Sequence, residues 1–128
     1  GLQDAVIFAG HASQQAMVTY YSHADLYVSM SEHEGFGKPL VESMYFDLPV
    51  LAYASTGVPD TLGGAGVLFH EKNFEALAEL ADLLIHDQTL HAHILARQRA
   101  RLHTFLMPAV RAQWQRYLEN FWNGNPLQ

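Results

Sequence analysis

Short, continuous apolar runs alternate along the chain with longer stretches whose apolar residues recur every three or four positions. Four runs stand out: Ala5-Val6-Ile7-Phe8-Ala9, Leu26-Tyr27-Val28-Ser29-Met30, Pro49-Val50-Leu51-Ala52-Tyr53-Ala54 and Val67-Leu68-Phe69. Runs that do not alternate with polar residues suit strands of a parallel sheet covered on both faces. Between them lie the helices such a sheet requires. Ser13 offers a cap to a helix that carries Ala16, Met17, Tyr20 and Tyr21 and ends by Ala24. After the second run come a glycine loop, Glu34–Gly37, and a helix that Pro39 opens at its first position. The turn Asp47-Leu48 leads into the third run, and Pro59–Leu62 predicts a single helical turn before the break Gly63-Gly64-Ala65-Gly66.

From Asn73, a good capping residue, Phe74, Leu77, Leu80, Ala81, Leu84 and Ile85 mark one face of an amphipathic helix. A further helix covers about Leu90–His103. A last one, from near Pro108, is expected to bury Val110, Trp114, Tyr117, Leu118 and Phe121. No internal repeat of roughly 20–50 residues is present. The expected fold class is α/β: a single domain over residues 1–128, with a parallel sheet, helices on both of its faces and a helical C-terminal end. In such sheets ligands bind outside the carboxyl ends of the strands.

Composition bears on function more than on fold. With 49% apolar and 16% charged residues the chain is ordinary globular protein rather than a disordered or membrane one. No apolar run approaches the ~20 residues that span a bilayer, and the N-terminus lacks the basic flank and long apolar segment of a signal peptide. A soluble, cytoplasmic protein is expected. The absence of cysteine excludes disulfides and thiolate metal sites. Residues 1–96 hold twelve acids against Lys38 and Lys72, whereas residues 97–128 hold five arginines against Glu119 alone. Such an acidic body repels a polyanion, so no nucleic-acid partner is expected, although a nucleotide can still bind through backbone N–H groups and a helix dipole. The basic end leaves peripheral contact with a membrane open; the simpler expectation is that its arginines pair with the acidic helix beside them.

The chemistry gathers in SEHEGFGKPLVES, residues 31–43. Glu34 and Glu42 stand eight positions apart, a spacing that Glu71 and Glu79 share on what reads as an exposed helix, so the spacing itself decides nothing. The setting is more informative: a strand, a loop with Gly35 and Gly37, and a helix start at Lys38-Pro39. Unpaired N–H groups and the positive dipole end favour an anion there, and glycine lets a phosphate approach the backbone. Two carboxylates beside a phosphate repel it unless they address something else. Glu42, about one turn into the helix, leans back toward its N-terminus, and carboxylates accept hydrogen bonds from vicinal hydroxyls. A nucleotide-diphosphate sugar has an anionic centre with hydroxyls on both sides. The competing reading makes Glu34 a solvated loop acid and Glu42 a dipole-complementing acid, and the residues alone leave the two balanced.

EGFGKPLVES, followed by LPVLAYASTGVPD and by GGAGVLF with the helix EALAELADLL, resembles the donor half of retaining glycosyltransferases of family 4, which have the GT-B fold. The resemblance runs from about Val6 to Ile85, with a weaker echo in the aromatic C-terminal helix, and implies a Rossmann-like domain. It implies that Glu34, as the catalytic residue, contacts hydroxyls of the donor sugar and that Glu42 hydrogen-bonds the nucleotide ribose. The main-chain N–H groups of Gly35, Phe36 and Gly37 would face the diphosphate, with Gly10 and His11 near the base. Lys38, the only lysine near the loop, is a candidate phosphate contact or simply a solvated residue. The resemblance implies no cofactor and no metal, the donor being a UDP- or GDP-sugar whose sugar passes to an acceptor hydroxyl with retention. The expected pathway class is polysaccharide or glycoconjugate biosynthesis.

Three departures bear on detail. Thr56-Gly57 stands where the family usually has two glycines, Asp60 where a glutamate is common, and Asp47 where a glycine is frequent, at a helix end that Asp tolerates in the left-handed conformation. The chain also starts at Gly1, after the place where the family's acceptor-binding domain and its diphosphate-holding arginine and lysine belong. It is therefore expected to be most of a donor-binding domain, partnered by an N-terminal acceptor domain of the same chain and inactive alone. Peripheral membrane association would then belong to the intact enzyme. A non-catalytic nucleotide-sugar-binding module and a sugar-nucleotide epimerase on the same fold are the alternatives. Of the eight histidines, His91 and His93 point to different faces of a helix, and His33 flanks the glycine loop. The tyrosines Tyr20, Tyr21 and Tyr27 and the stripe Trp114, Tyr117, Phe121 and Trp122 read as core.

Overall fold

Three of the four apolar runs form strands. In the computed structural model, which describes residues 2–123, β1 (Tyr27–Ser29), β2 (Val50–Tyr53) and β3 (Val67–Phe69) make a parallel sheet in that order. Val28 pairs with Leu51, and Leu51 with Val67. The run Val6–Ala9, read as a further strand, is irregular chain after a 3₁₀ turn at Gln3–Ala5, with Ile7 89% and Phe8 93% exposed. Strand propensity is a fit to a pleated, half-buried surface, and among the described residues this segment has no ladder partner.

Alternation along β2 divides the core. Val50 and Ala52 pack with Leu40 and Met44 of α2 (Lys38–Tyr45) and with Val58 and Leu62 of α3 (Val58–Leu62). Leu51 and Phe69 pack on the opposite face with Leu77 and Leu84 of α4 (Phe74–His86) and Ile94 of α5 (Gln88–Leu102). Helices thus cover both faces, as a parallel sheet requires.

Local chemistry sets the helix boundaries. Ser13 Oγ accepts from Ala16 N–H at 3.2 Å at the start of α1 (Gln14–His23), and Asn73 Oδ1 accepts from Ala76 N–H at 3.2 Å at the start of α4. Asp87 separates α4 from α5 by accepting from Thr89 and Leu90 N–H at 2.9 and 3.0 Å. Pro39 occupies the second position of α2 rather than the first, because Gly37, at φ 70°, is the cap. Glu71 precedes α4 rather than lying on it.

The last helix, α6 (Met107–Trp122), overturns an expectation: none of its residues is buried, and Trp114 and Phe121 are each 63% exposed. Its stripe Val110, Trp114, Tyr117, Leu118, Phe121 has helical spacing, but α2, α3, α4 and α5 already occupy the two sheet faces. Tyr20 and Trp122 are exposed too, as is Phe74, whereas Tyr21 is buried and Tyr27 half-buried. The arginines also depart from expectation. Arg99 Nε meets Asp47 Oδ1 at 2.6 Å, and Arg101 donates to the Asp60 and Thr61 carbonyls at 2.6 and 3.0 Å, so both serve loops and the end of α3 rather than the acidic helix. Asp47 takes the left-handed conformation at φ 54°, and its hydrogen bond from Arg99 holds its carboxyl below the usual carboxylate range. Among the described residues no helix is long and apolar enough to cross a membrane.

One buried polar side chain ties α5 to the sheet. Gln98 is fully buried; its Oε1 accepts from Val50 N–H at 2.9 Å and its Nε2 donates to the Leu48 carbonyl at 2.8 Å. The amide thus completes backbone pairing at the start of β2, where β1 pairs through Tyr27 but the β3 ladder begins only at Val67 opposite Leu51. Replacing it strands a buried donor and a buried acceptor. Gln98→Leu is expected to lower unfolding free energy by about 1–3 kcal/mol, measured by chemical denaturation; an unchanged midpoint would show that the pair is not needed.

Candidate functional site

Two loops leave the carboxyl end of the sheet and bind each other, mainly through hydroxyl side chains that reach backbone groups. Residues 30–37 follow β1 and residues 54–57 follow β2. The Thr56 hydroxyl accepts from Glu34 N–H at 2.9 Å and donates to the Glu34 carbonyl at 2.6 Å, which also accepts from Gly57 N–H at 3.0 Å. Ser55 Oγ donates to the Ser31 carbonyl at 2.8 Å, and Thr61 Oγ1 donates to that of Phe36. At Gly57 the approach is so close that a Cβ would lie 1.8 Å from the Gly35 carbonyl oxygen. Glycine is required there by contact rather than by φ.

Thr56, a departure from the family pattern, sits at φ 37°, where a β-branched residue is strained. Its two hydrogen bonds to Glu34 offset that strain and give the hydroxyl a purpose that glycine could not serve. The half-buried Glu34 is therefore fixed by its backbone, while its carboxylate makes no hydrogen bond or ion pair among the described residues.

The loop ends at Gly37, which caps α2 without a side chain to bond the first N–H groups. Pro39 has no N–H and Leu40 N–H bonds the Gly37 carbonyl at 2.9 Å, so the N–H left at the helix start, where the dipole is positive, is that of Lys38. Phe36 lies on the surface with its ring edge-on to Phe105 at 5.5 Å, beside a shallow hollow of about 230 Å³ that Gly35, Gly57 and Arg101 also line. A larger cleft, about 540 Å³, opens on the other side of α2, between it and α1. Ala12, Gln14, Met17 and Tyr21 form one wall, and Lys38 and Glu42 the other. Its size falls within the range of small-molecule sites, roughly 300–1,000 Å³.

Glu42 is half-buried at the cleft, with Oε2 accepting from Tyr21 Oη and Oε1 facing Lys38 Nζ, each at 3.2 Å. Of the expected site residues, Lys38 and Glu42 line the cleft and Gly35 and Phe36 the hollow on the other side of α2, while Glu34 and Gly37 lie on the loop after β1 and line neither. Gly10 and His11 are exposed; Gly10 is left-handed at φ 62°, and the two precede Ala12 without lining the cleft themselves. Two participants escaped the sequence reading. Thr56 looked like a departure and Tyr21 like core; the available signal was its hydroxyl, since a buried tyrosine generally finds a partner where phenylalanine needs none.

Residues 1–101 match the family described as Glycosyl transferases group 1. Among curated relatives, a capsular polysaccharide biosynthesis glycosyltransferase of Staphylococcus aureus is 29% identical over 99 residues, which is 76% of this chain and 26% of that protein. A serotype-specific mannosyltransferase of Escherichia coli is 27% identical over 72% of this chain and 12% of its own length. A sulfoquinovosyl transferase of Arabidopsis thaliana is 25% identical over 91% and 24%. The chain spans about a quarter or less of the length of these relatives. Its three-stranded parallel sheet with helices on both faces is consistent with the C-terminal, Rossmann-like half of a GT-B fold. With the match extending over most of its length, the chain belongs to the glycosyl transferases group 1 family.

Proposed function

We propose that this chain is the donor-binding part of a retaining glycosyltransferase that moves a sugar from a nucleotide-diphosphate sugar to an acceptor hydroxyl. The observation that carries the reading is that the glycine turn leads straight into the start of α2, whose Lys38 and Glu42 form one wall of the cleft. In this reading the base and ribose occupy the cleft between α1 and α2, the ribose hydroxyls on Glu42. The diphosphate lies over Gly35–Lys38, and the sugar faces Glu34. The relatives' names, a mannosyltransferase and a sulfoquinovosyl transferase among them, support sugar transfer as the chemistry. Their greater length supports an acceptor-binding domain in the intact protein, with this chain supplying the donor half.

The reaction needs negative charge stabilised as the diphosphate departs, and the preorganised N–H groups of Gly35, Phe36, Gly37 and Lys38 supply it without reorganisation. The sugar gains oxocarbenium character at the same time. Glu34, held by its backbone and with its carboxylate uncommitted, orients the sugar hydroxyls and eases the developing positive charge.

In the intact enzyme, Glu34→Gln is expected to cut turnover by roughly 10- to 100-fold, the rate equivalent of a charge-assisted hydrogen bond of about 1.5–3 kcal/mol. Nucleoside diphosphate affinity should hardly change; steady-state kinetics and calorimetry read the two, and equal losses would contradict the assignment. Gly57→Ala forces a methyl onto the Gly35 carbonyl and should lower kcat/KM by about 10²-fold through displacement of the loop, with wild-type activity as the contrary result.

A further inference from the structure

Glu42 reaches the cleft from inside α2, and its two oxygens are held by partners of different kinds. Oε2 takes the Tyr21 hydroxyl at 3.2 Å. Tyr21 is only 7% exposed, and its ring lies nearly parallel to that of Phe46, with centroids 5.5 Å apart. Burial, reinforced by the charge of Glu42, pushes its phenol pKa up, so the group stays a protonated donor. Oε1 instead faces Lys38, whose side chain is 81% exposed on a flexible stem. A surface pair of this kind is worth little and exchanges readily with solvent. One oxygen is therefore anchored from the interior, and the other is guarded by a group that a ligand can displace.

We propose that Tyr21 is a positioning residue for nucleotide recognition: its hydroxyl holds Glu42 so that the outward oxygen receives the vicinal hydroxyls of a ribose, which take the place of Lys38. This rests on the donor-binding reading above. Phenylalanine would pack against Phe46 equally well, so packing does not account for the hydroxyl. A glutamate side chain left to itself samples several rotamers, whereas one tied at Oε2 presents a single geometry to the ligand. Lys38, once displaced, remains at the first position of α2, next to the glycine turn, where its charge supports the diphosphate.

The test is calorimetric titration of the intact protein with UDP and GDP and with their 2′,3′-dideoxy forms. Wild type should bind one of the ribonucleotides more tightly than its dideoxy form. Tyr21→Phe should weaken that ribonucleotide by about 3- to 10-fold, the scale of one hydrogen bond, and leave the dideoxy form unaffected. Glu42→Gln should likewise erase the discrimination, and adding Tyr21→Phe to it should cost nothing more. Equal loss for ribo and dideoxy forms, no loss at all, or additive losses in the double variant would overturn the role of Tyr21 while leaving donor binding standing. Failure of the wild type to bind any of the nucleotides would overturn the donor-binding reading and the role of Tyr21 with it. Should Tyr21→Phe not fold, Glu42→Gln decides alone: retained preference for the ribonucleotide would exclude the mechanism.

Discussion

The site depends on one contact, the seating of the Gly57 backbone against the carbonyl of Gly35. Each loop by itself is irregular surface chain, and ordering such chain costs about 1–2 kcal/mol per residue in backbone entropy. Joined, the loops satisfy each other: the N–H and carbonyl of Glu34 and the carbonyls of Ser31 and Phe36 all find partners on the β2 side. Because α2 begins at the next residue after Gly37, the Lys38 N–H at its start inherits its direction from that contact. A side chain at Gly57 would reach beyond the local turn to the orientation of the helix.

The two acidic residues are controlled by opposite means. Glu34 is pinned through its backbone by Thr56 and Gly57, and its carboxylate is left without a partner among the described residues. Glu42 has its backbone in a helix and its carboxylate engaged by Tyr21 and Lys38. That difference suits different tasks. An acid that follows a changing sugar benefits from freedom at the carboxylate, whereas one that recognises a fixed diol benefits from a fixed rotamer. In the proposed reading the acidic pair does not merely add negative charge beside an anion site; each member addresses hydroxyls.

What was legible in the sequence is what short-range pattern encodes. The runs at β1, β2 and β3, the caps Ser13 and Asn73 and the left-handed Asp47 all follow from neighbouring residues. Val6–Ala9 was misread because a strand needs a partner that its own composition cannot name. The stripe on α6 was misread for a related reason: periodicity says that a helix has an apolar face, not that anything covers it. The site divides along the same line. Residues 34–42 are contiguous and could be read as one unit. Thr56 and Tyr21 lie 22 and 21 residues from the acids they hold, and Gln98 is 48 and 50 residues from its partners, distances at which only the fold decides what meets.

In the proposed reading the turn and the start of α2 form a cradle for a diphosphate. Amide chemical-shift mapping of the isotopically labelled intact protein during titration with a UDP- or GDP-sugar tests it most directly. A cradle built from backbone N–H groups predicts that the largest saturable shifts fall on Gly35, Phe36, Gly37 and Lys38, with smaller ones at Tyr21 and Glu42. Saturable binding that leaves those four amides unmoved, or no binding of either nucleotide sugar, would contradict it.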